Sequence, residues 1–310
     1  MTTLREGAKD YLALRRGLGF KLKRHGRFVR EFTAWLEHLG ETQITTRLAL
    51  EWATQPQHLQ HAEWAARLSA VRAFSRYWNA MDGTSEIPPD GLLPFRTRRP
   101  TPYLYSNAEI QKLLQAAKSM PAQFKLHPFT YYCLLGLLTV TGLRISEALQ
   151  LESRDIDWAE GLLTIRSSKF GKSRLVPLHP TTKEILAEYA ARRNHIFPDH
   201  PTAVFFPSRT GARLDAGQVR RVFYCLSRQI GIRGVSNSRG PRLHDFRHGF
   251  AVETLLRCYR AGGDVRQRLP ILSTYLGHGH VTDTYWYLSN TPELMAAAAE
   301  CLERRWEVQA

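Results

Sequence analysis

Between residues 82 and 102 the chain cannot continue any regular element. Asp82-Gly83 and Pro88-Pro89-Asp90-Gly91 interrupt the periodic pattern, and Arg96-Thr97-Arg98-Arg99-Pro100-Thr101-Pro102 follows. Glycine and proline together punctuate the backbone, and proline holds its predecessor in extended conformations. A stretch this basic and this stiff has no way to pack on itself, so it reads as a connector between two folded parts. A chain of 310 residues has room for two such parts, each with its own core. The division expected is 1–95, a helical domain; 96–104, a basic linker; and 105–310, a second domain with a helical tail.

The first part reads as helices from about residue 4 to residue 80. Phe28, Phe32, Trp35, Leu36 and Leu39 recur at helical spacing and make one apolar stripe. A later helix, about 62 to 81, points Trp64, Leu68, Val71, Phe74 and Trp78 inward and leaves Arg67, Arg72 and Arg76 on its surface. Lys23, Arg27 and Arg30 lie largely off the stripe of the earlier helix. From Lys21 through Arg24 the segment is basic, and no acidic residue appears until Glu31. A solvated face and a surface for a nucleic-acid backbone both suit this arrangement.

The second part opens with Ser106-Asn107-Ala108-Glu109, a capping sequence ahead of Ile110, Leu113 and Leu114. The apolar run from Tyr131 to Val140 is too short to span a bilayer and reads as a buried helix. Gly142 then permits a turn that presents Arg144 at the start of a helix over 145–151. Leu162–Ile165 and Arg174–Leu178 read as strands of a short antiparallel ribbon, with Lys169 near its tip and Ala203–Phe206 as a candidate third strand. Helices are expected again over 215–230, 244–258 and 292–306. The fold class is therefore mixed and mainly α, with a small antiparallel sheet in the second domain.

Charge narrows the partner. Forty-three Lys and Arg against 28 Asp and Glu leave +15, which favours a polyanion because neutralised phosphates release condensed counterions. Cys133, Cys225, Cys258 and Cys301 show neither C-x-x-C pairing nor zinc spacing and read as reduced, mostly buried thiols. With no apolar leader at the N-terminus, a cytoplasmic protein is expected.

The chemistry gathers in Leu243-His244-Asp245-Phe246-Arg247-His248, Tyr275-Leu276-Gly277-His278 and Thr284-Tyr285-Trp286-Tyr287. Thr141-Gly142-Leu143-Arg144 adds a second arginine and Ser168-Lys169 a lysine. Phosphodiester transfer builds negative charge on non-bridging oxygens, and the planar, permanently charged guanidinium stabilises it without a metal. His244 and Arg247, three apart, share a helix face, whereas His248 points elsewhere and reads as structural. His244 and His248 lie at i, i+4, but Asp245 stands where a metalloprotease has Glu and no third ligand is evident. Tyr275, Tyr285 and Tyr287 are all available as nucleophiles.

These motifs resemble the tyrosine recombinase (phage integrase) family, whose signature runs Arg, Lys, His-x-x-Arg, His, Tyr. The resemblance implies catalytic roles for Arg144, Lys169, His244, Arg247, His278 and Tyr287, the last standing nine positions after His278. Tyr285 and Trp286 are then packing residues, and Lys172 is the rival of Lys169 as the acid that protonates the leaving 5′ oxygen. It also implies a helical core-binding (SAM-like) first domain and an α+β catalytic domain that clamp duplex DNA, with strand exchange in a homotetramer and neither metal nor ATP. The expected DNA contacts are Lys21, Lys23, Arg24, Arg27, Arg30, Arg96, Arg98, Arg99, Lys172 and Arg174. Tyr11 to Phe20 looks like the opening of recombinases carried by transposable elements. The segments 259–273 and 234–241 are longer than the compact Xer-type pattern. The rival readings are a type IB topoisomerase and a catalytically silent DNA-binding partner of other recombinases. The tail helix can dock either on a neighbouring protomer or on its own domain.

Overall fold

The computed structural model describes residues 3–93, 101–121, 125–166, 173–197, 203–235, 240–288 and 291–307. The chain separates into two compact units, Met1–Pro100 and Thr101–Ala310. Lys169, Lys172, Arg96, Arg98 and Arg99 lie outside the described residues.

The first unit consists of α1 (Leu4–Gly17), α2 (Lys23–His38), α3 (Thr46–Thr54) and α4 (His61–Asp82). Thr3 and Glu6 form a reciprocal capping box that satisfies two of the N–H groups left open at the start of α1. Phe28, Phe32 and Leu36 are buried as the stripe predicts, and Phe32 meets Trp52 of α3 edge-on at 5.3 Å. Leu39, by contrast, is 49% exposed, because the helix has ended and residue 39 is its C-cap. Gly7 lets α1 lie directly on α4: a Cβ there would fall 2.0 Å from the Trp78 ring.

Arg67 overturns its expected surface position. It is buried, with its guanidinium 3.7 Å from the Trp52 ring centroid and a hydrogen bond of 2.8 Å to the Trp52 carbonyl. A planar, weakly hydrated cation can stack on an indole while its edge donates, which makes this burial tolerable.

The second unit is built around α6 (His127–Thr141), which follows α5 (Asn107–Lys118). The capping box between Ser106 and Glu109 starts α5 as the sequence predicts. Helix α6 is apolar on nearly every side, with Tyr131, Leu134, Leu135, Leu137 and Leu138 all buried, as suits a helix surrounded by protein. The short helix α7 (Ile145–Gln150) leads through a 3₁₀ turn at Ser153–Asp155 into an antiparallel sheet of order β1 (Ile156–Asp157), β2 (Leu162–Ile165), β3 (Arg174–Pro177). Register pairs Leu163 with Val176, and both side chains turn to the core.

The third strand is thus Ile156–Asp157 and not Ala203–Phe206. Val204 makes only an isolated bridge to Glu152, and Phe205 and Phe206 are both fully buried. Consecutive burial breaks the two-residue alternation that a sheet edge requires. Helix α8 (Pro180–Ile196), absent from the sequence expectation, starts at Pro180 behind the capping side chain of His179.

The remaining helices are α9 (Ala216–Gln229), α10 (Leu243–Arg260), α11 (Val265–Leu276), α12 (Thr282–Leu288) and α13 (Pro292–Glu307). A second core of this unit joins Ala251, Val252 and Leu255 of α10 with Leu272, Leu276, Tyr287 and Leu294. Through Leu294, α13 packs on its own unit in the single chain. Of the four cysteines only Cys133 is buried; Cys225 is exposed and the other two are intermediate, against the expectation of mostly buried thiols. No described helix is long and apolar enough to cross a membrane.

Candidate active site

The site forms where the ends of α6, α10 and α11 meet. Gly142 caps α6 in the left-handed region (φ 61°), and a Cβ there would approach the Phe250 ring to 2.7 Å. Glycine is therefore required for the turn that delivers Arg144 to the N-cap of α7. Gly277 (φ 66°) performs the same service at the end of α11, delivering His278.

Three arginines from different segments converge on the end of α11. Arg174 donates to the Tyr275 carbonyl at 2.6 Å, Arg247 to the Leu276 carbonyl at 2.5 Å and Arg144 to the Gly277 carbonyl at 3.0 Å. These are the carbonyls a helix leaves unpaired at its C-terminus, where the dipole also favours cations. Arg247, 1% exposed, donates in addition to the Gly142 carbonyl at 3.0 Å. Burial lowers its pKa to about 10, with the neighbouring Tyr287 opposing that shift. It remains a cation at neutral pH.

Glu147, a residue given no role in the sequence reading, holds two of these arginines. Its carboxylate takes 2.6 Å from Arg144 and 2.8 and 3.1 Å from Arg174. Burial alone would raise its pKa, but the hydrogen bonds and charge of Arg174 and Arg144 bring it down to about 2. The signal was its place three residues after Arg144, where a capping partner sits. Arg174, expected as a DNA contact, has a side chain only 10% exposed and turned inward on Glu147 and the Tyr275 carbonyl.

Around this framework lie the titrating groups. Tyr287 is 4% exposed, with its hydroxyl 3.4 Å from His278 Nε2 and its ring stacked on the His278 imidazole at 5.9 Å. His278 Nδ1 meets Thr284 Oγ1 at 2.8 Å. A proton on Nδ1 shared with that hydroxyl leaves Nε2 as an acceptor facing Tyr287. Burial, then the cations Arg247 and Arg144, lowers the His278 pKa to about 4, so the ring is neutral at pH 7.

His244 opens to solvent, yet protein packed behind it and the Arg247 charge hold its pKa below the ordinary value. His248 is buried edge-on to Tyr287 at 4.8 Å, and burial lowers it to about 4, consistent with a packing role. Tyr285 does not pack as expected: it is 50% exposed on the opposite side of α12. Trp286 does pack, half-buried, against the second core. Among the described residues no group of three or more His, Cys, Asp or Glu could hold a metal.

Within the first unit, Lys21, Lys23 and Arg30 are exposed. Arg24 pairs with Glu63, and Arg27 lies 3.6 Å from Glu31. Helix α2 begins after Leu22 in the left-handed region, with no side-chain cap and no acid in its first turn. In the second unit, α9 shows Arg220, Arg221 and Arg228 to solvent and carries no acidic residue, a face the sequence reading overlooked.

Residues 104–293 match the phage integrase family. The chain is 53% identical to integrase/recombinase y4rB of Sinorhizobium fredii (strain NBRC 101917 / NGR234) over 99% of both chains. It is 32% identical to y4rE of the same strain, over 96% of this chain and 95% of that one. Among solved structures it is similar to the Tn1549 transposon integrase in complex with transposon right end DNA. That match has a TM-score of 0.66 and 17% identity, over 97% of this chain and 99% of that one. A second is the XerH site-specific recombinase bound to palindromic difH substrate, with TM-score 0.64 and 19% identity over 90% and 79%. Both show the fold. A family match across most of the second unit, and a relative of this identity along nearly the whole length, place the chain in the phage integrase family of tyrosine recombinases.

Proposed function

We propose that the chain is a site-specific DNA recombinase that cleaves and rejoins strands through a 3′-phosphotyrosyl intermediate, with Tyr287 as nucleophile. The observation that carries this reading is the Tyr287 hydroxyl lying against a neutral imidazole acceptor and a buried guanidinium. The phenolic oxygen attacks phosphorus and the bond to the 5′ oxygen breaks. The phenol proton passes to His278, and Lys169 gives a proton to the departing 5′ oxygen, which leaves as a hydroxyl, with Lys172 as its alternative. Arg144 and Arg247 each keep donors beyond those committed to carbonyls and, for Arg144, to the Glu147 carboxylate, because a guanidinium carries five, and these meet the non-bridging oxygens. His244 joins them on the phosphate. Attack by the 5′ hydroxyl of a partner strand reverses the step and conserves the bond, so neither ATP nor a metal is called for.

In this reading the second unit performs the chemistry and the first grips duplex DNA. The uncapped, basic start of α2 favours phosphate, since the N-terminal dipole and Lys21, Lys23 and Arg24 act together. The basic face of α9 offers a second contact. Assembly as a tetramer on paired sites, in the bacterial cytoplasm on the nucleoid, completes the proposal, and movement of a transposable element is the use that the family resemblance of residues 11–20 supports.

The test uses nicked duplexes chosen by binding selection from a randomised pool. Wild-type protein is expected to trap a covalent adduct on them. Tyr287→Phe should abolish the adduct with DNA affinity nearly unchanged, while Tyr285→Phe retains it. Adducts that depend on Tyr285 in place of Tyr287 would refute the assignment.

A further inference from the structure

We propose that Tyr105 is a positioning residue for His244, acting through the backbone of Arg242 with Arg233 as its companion. This rests on the reading of His244 as part of the catalytic site. Two consecutive carbonyls at the entry to α10 accept hydrogen bonds from side chains on other segments. The Tyr105 hydroxyl donates to the Arg242 carbonyl at 3.0 Å, and the Arg233 guanidinium donates to the Pro241 carbonyl. Both donors are themselves built in. The Tyr105 ring stacks on Phe246 of α10 with centroids 4.5 Å apart and planes 14° from parallel. Arg233 is 4% exposed, its guanidinium 4.0 Å from the Tyr224 ring centroid. Tyr103 braces the other side of Tyr105 edge-on at 5.1 Å and donates to Glu109.

The location gives these bonds their leverage. His244 is the second residue of α10, within the first turn, whose N–H groups have no acceptor inside the helix. Its placement therefore follows the N-cap residue more than the hydrogen-bond ladder. That residue is Arg242, fixed on its N–H side by the Asp245 carboxylate at 2.8 Å and on its carbonyl side by the Asp245 N–H at 2.9 Å, with Tyr105 adding a bond to that carbonyl from outside the turn. Arg247 sits a turn deeper and is tied separately to Gly142 and Leu276. Loss of the Tyr105 hydroxyl should accordingly shift His244 and spare Arg247 and Tyr287. Burial also raises the Tyr105 pKa, which keeps the hydroxyl a donor at working pH.

A double-mutant cycle in single-turnover cleavage of the selected nicked duplexes, at saturating protein, tests this. Tyr105→Phe keeps the stacked ring and loses one neutral hydrogen bond. It should slow cleavage by roughly threefold to tenfold, with DNA affinity and melting temperature nearly unchanged. In a His244→Ala background the same substitution should change nothing further, and Arg233→Gln should show the same non-additivity. Multiplicative slowing in the double variant, a loss of DNA affinity, or a Tyr105→Phe protein that fails to fold would overturn the positioning role alone. Full-rate cleavage by His244→Ala would remove the reading of His244 and this proposal with it.

Discussion

At the scale of single residues the site joins permanent cations to neutral imidazoles. His248 and His278 both have pKa values depressed to about 4 in the folded chain. An unfolded histidine titrates near its ordinary value of about 6.5, so between these limits the unfolded chain binds more protons than the folded one. Stability is then complete above about pH 6.5 and is lost as pH falls toward 4. His248 is 3% exposed and contributes the larger share, about 1–3 kcal/mol. A Tm series from pH 7 to pH 4 should show the decline, and His248→Gln should flatten it. A decline unchanged by that substitution would assign the effect elsewhere. Glu147, depressed to about 2, loses its contribution only in a lower window, from about pH 4.5 downward.

Elements, rather than residues, explain why the site is preformed. The end of α11 would normally leave its last carbonyls to water, yet Arg174, Arg247 and Arg144 occupy three in succession. The arginines thereby hold the Gly277 turn that carries His278, and Glu147 ties β3 to α7 beneath them. Glu147→Gln keeps the shape and removes the charge, leaving two largely buried guanidinium groups under-compensated. Losing one partner of a buried ion pair is strongly destabilising, so urea denaturation should show a loss of about 2–4 kcal/mol. Cleavage should slow in parallel. A variant as stable as the wild type would mean the carbonyls alone hold the arginines. Helix α8 shows the opposite kind of element: Pro180 marked its start, but its buried side is little more than Leu186, Tyr189 and Arg193, too sparse for periodicity to announce.

For the whole molecule the net charge of +15 sets the binding regime. If about 6–10 phosphates are neutralised, affinity for duplex DNA should fall by roughly 10³–10⁵ between 50 and 200 mM salt. Fluorescence anisotropy across that range measures the slope, and a flat dependence would argue against backbone contacts. Covalent adducts on the nicked duplexes should form equally in EDTA, because in the proposed mechanism arginines supply the charge stabilisation. Adducts lost on chelation and restored by a divalent cation would overturn that chemistry.

The capping box at Ser106, the buried helix over Tyr131–Val140 and the two principal strands were all legible in the sequence. Each depends on interactions within a few residues: period, cap, and glycine or proline at a break. The motif residues Arg144, His244, Arg247, His278 and Tyr287 were legible as types at fixed spacings, and the structure brings them to one place. Partners distant in sequence were not legible. Arg67 left the surface for Trp52, Arg174 turned from solvent to Glu147 and the Tyr275 carbonyl, and Tyr285 remained outside while Tyr287 went in. A local pattern can say that a charge is present, but not which buried carbonyls or carboxylates lie within its reach. Those acceptors come from segments well over a hundred positions away (133 between Arg144 and Gly277), and only the folded chain supplies them.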